Sequence, residues 1–340
     1  MLIVSSPDHA LHRSAGELND GVMMPAFEHP GRAGSVTSAL AAASLGTHTA
    51  PVRAGLAPIL RVHDADFVRF LEGAHAAWRE LHAHSDALPV GFVAPGMRRQ
   101  RPTSIDGQLG YYCYDPGTPI TAGTWQAATA AVDVALTAVA AVLEQPAFGL
   151  CRPPGHHAGS DYYGGYCYLN NAAIAAQHLR DRGAGRVAVL DVDYHHGNGT
   201  QEIFWTRDDV LFVSLHADPA WEYPFFSGHA DEIGGGAGSG YTRNLPLPRG
   251  TTWREYAPAL TTALDQIHGF GPDALVVSFG ADTFERDPLG SFALVREDYA
   301  RMGAAVARLR RPTAIIMEGG YAVEELGANV VAFLGGFLAA

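Results

Sequence analysis

Short runs of consecutive apolar residues alternate along this chain with longer stretches whose apolar residues recur at helical spacing. The runs predict strands at residues 2–4, 147–151, 187–192, 210–215, 274–279 and 313–317. Their successive apolar positions indicate strands buried on both faces, as in a parallel sheet. The longer stretches predict helices at residues 35–45, 64–81, 124–144, 170–182, 255–270, 298–309 and 323–338. Alternating strands and helices predict one α/β domain over residues 1–340, with a mostly parallel multi-stranded sheet covered by helices on both faces.

Two segments, residues 5–34 and about 83–122, show no long periodic pattern and are rich in Gly and Pro. No change of composition marks residues 83–122 as a separate domain. A loop-rich insertion of this length within a compact domain is usually functional or forms an interface.

Composition excludes several classes of protein. The net charge of −12 argues against a nucleic-acid partner. No apolar run is long enough to span a bilayer, and the first residues lack an export signal. The three cysteines lack the spacing of a disulfide or zinc framework, which fits a cytoplasmic protein. The sequence contains no lysine, which excludes Schiff-base chemistry by a lysine.

Side chains capable of chemistry follow five of the predicted strands. In chain order they are His156 and His157, then Asp191, Asp193 and His195, then His216, Asp282 and Tyr321. The carboxyl ends of parallel strands lie at one edge of a sheet, where ligands of open α/β folds bind. The sequence therefore predicts a metal-centred site at this edge.

The chemistry of these residues fits a hydrolase. Asp193, His195 and Asp282 would supply three metal ligands and leave a fourth position open, which is typical of catalytic zinc. Zinc would lower the pKa of a bound water, the nucleophile that attacks an amide carbonyl, and would polarise that carbonyl. The adjacent His156 and His157, in a turn rigidified by proline, could serve as base and acid.

Three further residues complete this predicted site. Asp191 is placed to orient one imidazole, and Asn198 could be the uncharged partner of the other. Tyr321, which follows two glycines, could donate its hydroxyl to a developing oxyanion. The alternative nucleophile Cys151 is better interpreted as a buried core thiol, and no G-x-S-x-G motif is present.

Several motifs in this order resemble the zinc-dependent histone deacetylase and arginase superfamily. They are RPPGHHA (152–158), GGYCYLNNAA (164–173), LDVDYHHGNGTQ (190–201), SLHADP (214–219), FGADTFERDPLG (279–290) and EGGY (318–321). Within that superfamily the chain resembles the bacterial acetylpolyamine amidohydrolases. The resemblance implies zinc, or Fe(II) in its place, on Asp193, His195 and Asp282. It also implies His157 as general base and then general acid, and His156 as electrostatic support.

The same resemblance implies a narrow substrate tunnel for a small cationic acetylated amine. Gly165, Tyr166 and Tyr223 would line this tunnel, with Leu289 at its rim. Glu17, Phe27 and Asp106 correspond to entrance positions. The resemblance also implies that the insertion at 83–122 forms a homodimer and narrows the entrance, and that a structural potassium ion lies near Asp191, Asp193, His195 and Ser214. Gly117 stands where a second entrance carboxylate is expected, and Asp115 is close enough in sequence to compensate.

These observations leave competing functions. The favoured one is hydrolysis of N-acetylated polyamines or diamines to acetate and free amine, and its closest alternative is deacetylation of acetyl-lysine in proteins or peptides. An arginase-like reaction would need a second metal site, for which the sequence offers no ligands. A catalytically silent metal-binding protein would have no need for His156, His157 and Tyr321 beside the ligands.

Overall fold

An eight-stranded sheet forms the centre of the computed structural model, which describes residues 1–19, 21–83 and 86–340. The strands are β1 (Leu2–Ser5), β4 (Thr47–Thr49), β5 (Ala147–Leu150), β6 (Val187–Asp191), β7 (Val210–Ala217), β8 (Thr242–Leu247), β9 (Ala274–Phe279) and β10 (Thr313–Met317). Their order is β4-β1-β5-β10-β9-β6-β7-β8, and every neighbouring pair is parallel. Two short strands, β2 (Glu17–Asn19) and β3 (Val22–Met24), form a separate antiparallel hairpin.

Helices connect the strands. They are α1 (Gly31–Ala43), α2 (Ala65–Leu81), α3 (Ile105–Tyr112), α4 (Thr124–Ala140), α5 (Asn171–Asp181), α6 (Asn198–Phe204), α7 (Trp253–Phe270), α8 (Arg296–Ala307) and α9 (Val323–Ala339). Local sequence explains several helix ends. Asp64 accepts hydrogen bonds from the first turn of α2, and Gly271 ends α7 in the left-handed conformation that glycine adopts without strain. The predicted helices are all present, with bounds displaced by a few residues.

The sheet is covered on both faces, as its apolar strands predict. In β6, Ala188 and Leu190 pack in one cluster with residues of α1, α7, α8 and α9. Val187 and Val189 point the other way and pack with residues of α4 and α5. All four side chains are fully buried, and burial of a valine or leucine contributes about 1.5–3 kcal/mol. The predicted α/β fold with helices on both faces is confirmed.

Some elements were not predicted from the sequence. The edge strands β4 and β8 contain polar residues, and β8 contains Pro246, which an edge strand tolerates because only one side is paired. Residues 5–34, predicted as loop, contain the β2–β3 hairpin and the start of α1. The insertion predicted at 83–122 contains α3, and its residues 84 and 85 lie outside the described residues.

The sheet order determines where the predicted site lies. Strands β5, β10, β9, β6 and β7 are consecutive neighbours, so their carboxyl ends meet at the middle of one edge. These are the five strands that the candidate residues follow. In the described part of the chain, no helix is both long and apolar enough to cross a membrane. The three cysteines are buried and free.

Candidate metal centre and active site

The three predicted metal ligands converge at the edge of the sheet. Asp193, His195 and Asp282 each offer one ligand atom, and these atoms lie within 4.8 Å of one another. Both carboxylates are fully buried, and the His195 side chain is 12% exposed. Asp193 and His195 follow β6, whereas Asp282 follows β9, the strand hydrogen-bonded beside it. The cluster is therefore assembled by the pairing of two strands.

The loop after β6 is held by the side chains that it presents. The strand predicted at residues 187–192 is β6, which ends at Asp191. Beyond that point, the backbone N–H of Asp193 donates to Asp191 Oδ1 at 3.1 Å, and that of His195 donates to Asp193 Oδ1 at 2.9 Å. The N–H of Tyr194 donates to Asp282 Oδ1 at 2.9 Å. Backbone hydrogen bonds to carboxylates, and not the alternation of side chains along a β-strand, therefore orient Asp193 and His195 toward the same side of the loop.

The chemistry of this cluster fits a divalent cation. Burial, together with the charge of Asp193, raises the pKa of Asp282 to about 7. Two fully buried carboxylates side by side are costly unless a positive charge compensates them. A Cβ added at Gly319 would lie 2.3 Å from Asp282 Oδ2 and 2.6 Å from Asp193 Oδ2. Glycine at this position leaves room beside both carboxylates, which together with one imidazole form an oxygen- and nitrogen-rich donor set.

The two adjacent histidines have different partners. His156 Nδ1 lies 3.0 Å from Asp191 Oδ2, and His157 Nδ1 lies 2.7 Å from Asn198 Oδ1. Burial alone would lower the pKa of His156, but Asp193 and Asp191 raise it to about 10. Burial and the neighbouring His156 hold the pKa of His157 well below its usual value. The pair therefore combines one imidazolium with one neutral imidazole, with ring centres 4.0 Å apart.

The turn that carries both histidines is anchored by Glu318, which the sequence analysis did not select. Its Oε2 accepts the N–H of Gly155 at 2.6 Å and the N–H of His156 at 3.2 Å. Glu318 is fully buried at the end of β10, and burial raises its pKa to about 7. Glu318 directly precedes Gly319, Gly320 and the predicted site residue Tyr321, and this position is the feature of the sequence that could have identified it.

Tyr321 is held by contacts on two sides. Its backbone N–H donates to Asp287 Oδ2 at 2.6 Å, and the Arg32 guanidinium lies 4.7 Å from its ring centre. Arg32 also donates to the carbonyl of Gly320 at 2.7 Å and is paired with Glu28 at 3.0 Å. Burial raises the pKa of Tyr321 well above 10, so its hydroxyl keeps its proton. Arg32 and Asp287 are further residues that the sequence analysis did not select.

The residues predicted to line a tunnel lie next to His157 or Tyr321. The Tyr223 ring meets the His157 ring edge-on at 5.1 Å, and the Tyr166 ring meets the Tyr321 ring at 5.6 Å. Gly165 has φ +55°, and a Cβ there would lie 2.3 Å from His157 Cδ2. Because any side chain at Gly165 would collide with His157, glycine is required for this close approach.

The predicted entrance residues are not all brought together. Glu17 accepts the Tyr166 hydroxyl at 2.8 Å and the backbone N–H of Phe27 at 3.2 Å, so it contacts one of the residues predicted to line the tunnel. Leu289 is half-buried, and its N–H donates to Asp287, whose other oxygen binds Tyr321. Asp106 instead lies on α3, where its carboxylate is bonded to His82 at 2.6 Å and to Ser104 at 3.0 Å. None of its bonded partners is a predicted site residue.

His196 follows β6, whereas His216 lies within β7, because this strand extends to Ala217 and not to residue 215 as predicted. The His196 ring is fully buried against His216, with 4.5 Å between ring centres. His216 bonds Ser214 Oγ through Nδ1 at 2.7 Å and the carbonyl of Gly228 through Nε2 at 2.9 Å. Ser214 is thus engaged with a histidine in this structure, and a potassium ion at the predicted position stays a prediction.

Comparison with known proteins identifies the family. The model of the histone deacetylase domain matches residues 26–337. Acetylpolyamine amidohydrolase 2 of Pseudomonas aeruginosa is 52% identical over 339 residues, with 99% of this chain and 98% of the relative covered. Acetylpolyamine amidohydrolase of Mycoplana ramosa is 46% identical over 338 residues, with 99% of each covered.

A solved structure shows the same architecture. The acetylpolyamine aminohydrolase from Burkholderia pseudomallei superposes with a TM-score of 0.95 at 42% identity, with 100% of this chain and 99% of that chain covered. The family is metal-dependent, in agreement with the buried cluster of two carboxylates and an imidazole. The chain belongs to the histone deacetylase domain family.

Proposed function

We propose that this chain is a zinc-dependent amidohydrolase that removes acetyl groups from N-acetylated polyamines or diamines and releases acetate and the free amine. The observation that carries the proposal is the convergence of the Asp193–His195–Asp282 cluster with two adjacent histidines, one paired with a carboxylate and the other with an amide. Relatives named acetylpolyamine amidohydrolase, about half identical over the full chain, support the substrate class.

The residues of the chain have distinct roles in this proposal. Asp193, His195 and Asp282 would hold zinc, which when bound supplies a Lewis acid to the amide carbonyl and lowers the pKa of water. Neutral His157 takes the proton of the attacking water and then gives it to the leaving nitrogen. Hydrolysis thus adds the water oxygen to the acetyl group and a proton to the amine.

Two other side chains stabilise the charge that develops in the reaction. His156, whose pKa is raised by its two carboxylate neighbours, contributes a fixed positive charge beside His157. Tyr321 keeps its proton and donates it as a hydrogen bond to the amide oxygen as that oxygen becomes negative. The Arg32 and Asp287 contacts hold the Tyr321 turn in place.

Acidic groups in the tunnel wall support a cationic substrate. Glu17 contacts Tyr166, and Asp115 contacts Gly165 and Tyr223, so two carboxylates lie behind the predicted tunnel. Carboxylates near a passage with low-dielectric walls attract cations and repel anions. The contacts of Asp115 with Gly165 and Tyr223 support the proposal that it supplies negative charge in place of Gly117.

The experiment is a comparison of substrates with the zinc-loaded protein. N-acetylputrescine, N-acetylcadaverine and N8-acetylspermidine are measured beside an acetyl-lysine peptide. We expect kcat/KM to be higher for the acetylated amines than for the peptide. A narrow acidic tunnel favours a small linear cation over a lysine side chain that is attached to a peptide backbone. Turnover of the peptide alone would overturn the polyamine assignment and favour the protein deacetylase. The Asp193→Ala variant is the control for contaminating activity.

The identity of the metal and the assembly are part of the same proposal. Zinc is preferred over Fe(II) for a site of two carboxylates and one imidazole that needs no redox change, and potassium is proposed as a structural ion. A homodimer is proposed because the insertion exposes a group of large apolar side chains, namely Val90, Phe92, Val93 and Met97. The cytoplasmic location remains a prediction.

A further inference from the structure

Hydroxyl groups connect the tunnel wall to the general base through a continuous series of contacts. The Tyr223 hydroxyl lies 3.0 Å from Asp115 Oδ2 and is hydrogen-bonded to the Tyr114 hydroxyl. The Tyr114 hydroxyl lies 3.4 Å from Asn198 Oδ1, which lies 2.7 Å from His157 Nδ1. One buried carboxylate is thus linked to the imidazole of His157 through two phenols and an amide.

The amide of Asn198 determines which nitrogen of His157 carries the proton. Asn198 Nδ2 lies 3.2 Å from the Tyr162 hydroxyl, which itself donates to the Asn198 carbonyl at 3.3 Å. The amide nitrogen therefore faces Tyr162, and Oδ1 faces His157 and Tyr114. Because Oδ1 can only accept, neutral His157 must carry its proton on Nδ1, which leaves the lone pair on Nε2. A flipped amide would favour the opposite tautomer.

The anchored end of this series is Asp115. Its carboxylate accepts the backbone N–H groups of Gly165 and Gly117 and the hydroxyl of Thr118, and the Tyr223 hydroxyl lies 3.0 Å from its Oδ2. Three donors hold this buried side chain in one position even when Tyr223 donates elsewhere, and a network of this kind rigidifies its members. Burial raises the pKa of Tyr114 and Tyr223 well above 10, so both phenols carry their protons.

The number of hydroxyl protons on Tyr114 and Tyr223 limits which of the contacts between Asp115 and Asn198 can be hydrogen bonds at one time. Two phenolic protons serve three contacts, so Tyr223 donates either to Asp115 or to Tyr114. When Tyr223 donates to Tyr114, the Tyr114 proton is available to Asn198. When Tyr223 donates to Asp115, the Tyr114 proton can go to Asn198 or to Tyr223. Removal of either hydroxyl interrupts the series between Asp115 and Asn198. The two hydroxyls should therefore act as one unit.

We infer that Tyr114, Tyr223 and Asp115 are positioning residues that hold Asn198 and thereby the productive tautomer of His157. The inference rests on the proposed role of His157 as general base. It assigns Tyr223 a second task, because its ring forms tunnel wall against His157 while its hydroxyl anchors the Asn198 side. The Asp115 carboxylate thus holds both Gly165 in the proposed tunnel wall and, through Tyr223, Tyr114 and Asn198, the general base His157.

The test compares Tyr114→Phe, Tyr223→Phe and the double variant, each loaded with zinc. Both substitutions keep the rings and remove only the hydroxyls. We expect each single variant to lower kcat by about tenfold, the lower end for loss of an orienting contact, with KM changed by less than about twofold. The double variant should be no slower than the slower single variant, because one break already interrupts the series.

Tyr241→Phe is the matched control, because the Tyr241 ring packs on Phe270 away from these contacts. Its kcat should equal that of the parent protein. Unchanged kcat in both single variants would overturn the inference, and so would losses that multiply in the double variant, since those indicate independent roles. If Tyr223→Phe does not fold, Tyr114→Phe with its KM-against-kcat comparison still decides the matter.

A second readout does not depend on turnover. In protein labelled with [15N]histidine, the His157 signals are those lost in His157→Ala. The parent should show the Nδ1–H tautomer, and both phenylalanine variants should show a mixture of tautomers. An unmixed Nδ1–H tautomer in both variants would contradict the inference. If the parent protein fails to hydrolyse acetylated amines, the proposed function is lost, while this measurement still tests the positioning role.

Discussion

His157 Nδ1 lies 2.7 Å from Asn198 Oδ1, so the hydrogen-bond partner of the proposed general base carries no charge. The neighbouring His156 is instead hydrogen-bonded to the carboxylate of Asp191. A carboxylate stabilises an imidazolium, whereas an amide orients a neutral imidazole. The difference between these two partners separates a charged histidine from a histidine that can accept a proton.

Substitution of Asn198 tests this division. We expect Asn198→Ala to lower kcat by about 10- to 100-fold, the range for loss of a partner that orients a catalytic imidazole. KM should change little, because the Asn198 amide contacts His157 and not the proposed tunnel. The measurement is steady-state kinetics together with zinc content. Full activity in a zinc-loaded Asn198→Ala protein would show that His157 needs no partner.

Tyr321→Phe should keep the metal and lose most of the rate. Loss of one donor to a developing oxyanion typically costs about 100- to 1,000-fold in kcat, and we expect a loss in that range. Zinc content by mass spectrometry should equal that of the parent. Tyr256→Phe is the matched control, because the Tyr256 hydroxyl is buried and has no hydrogen-bond partner in the described chain. Equal kcat in the Tyr321→Phe and parent proteins would exclude the oxyanion role.

Glu17 should make substrate affinity depend on pH. Burial raises its pKa to about 6, so its carboxylate is charged above that pH and becomes neutral as the pH falls through it. Since the anion attracts a cationic amine, KM for N-acetylputrescine should rise as the pH is lowered from 7.5 to 5. In Glu17→Gln this part of the pH dependence should be absent. A parallel rise of KM in both proteins would assign the effect to another group.

The exposed apolar residues of the insertion should mediate assembly. Val90 and Met97 are 82% and 64% exposed, and a charge at either position would be desolvated in a homodimer interface. We expect the Val90→Asp/Met97→Asp variant to shift the mass from light scattering toward the 36.1 kDa monomer. Leu143→Asp is the control, since Leu143 is 82% exposed in the turn that follows α4, outside the insertion. A monomeric parent protein would contradict the proposed dimer.

The sequence predicted most of the sheet and the residues that converge at its edge. Strands β6 (VAVLD) and β9 (ALVVSF) each begin with four successive apolar residues, so their burial was evident without knowledge of their partners. The edge strand β4, with the sequence THT, was missed because its strand conformation depends on pairing with β1 and not on its own composition.

Contacts between distant segments were also beyond prediction from the sequence. Arg32 donates to the carbonyls of Glu318 and Gly320, which lie 286 and 288 positions further along the chain. Nothing local to Arg32 distinguishes it from a solvated arginine of a helix N-terminus. The entrance role of Asp106 stays a prediction, and the bond between its carboxylate and His82 is a further contact that the local sequence does not indicate.

The most direct test of the account is the stoichiometry of hydrolysis with and without metal. Metal-free protein is prepared with a chelator, zinc is returned at one equivalent, and acetate and putrescine released from N-acetylputrescine are both quantified. We predict no release without metal, and equal molar amounts of the two products once zinc is restored. Full turnover by the metal-free protein, or no putrescine release by the zinc-loaded protein, would contradict the central claim.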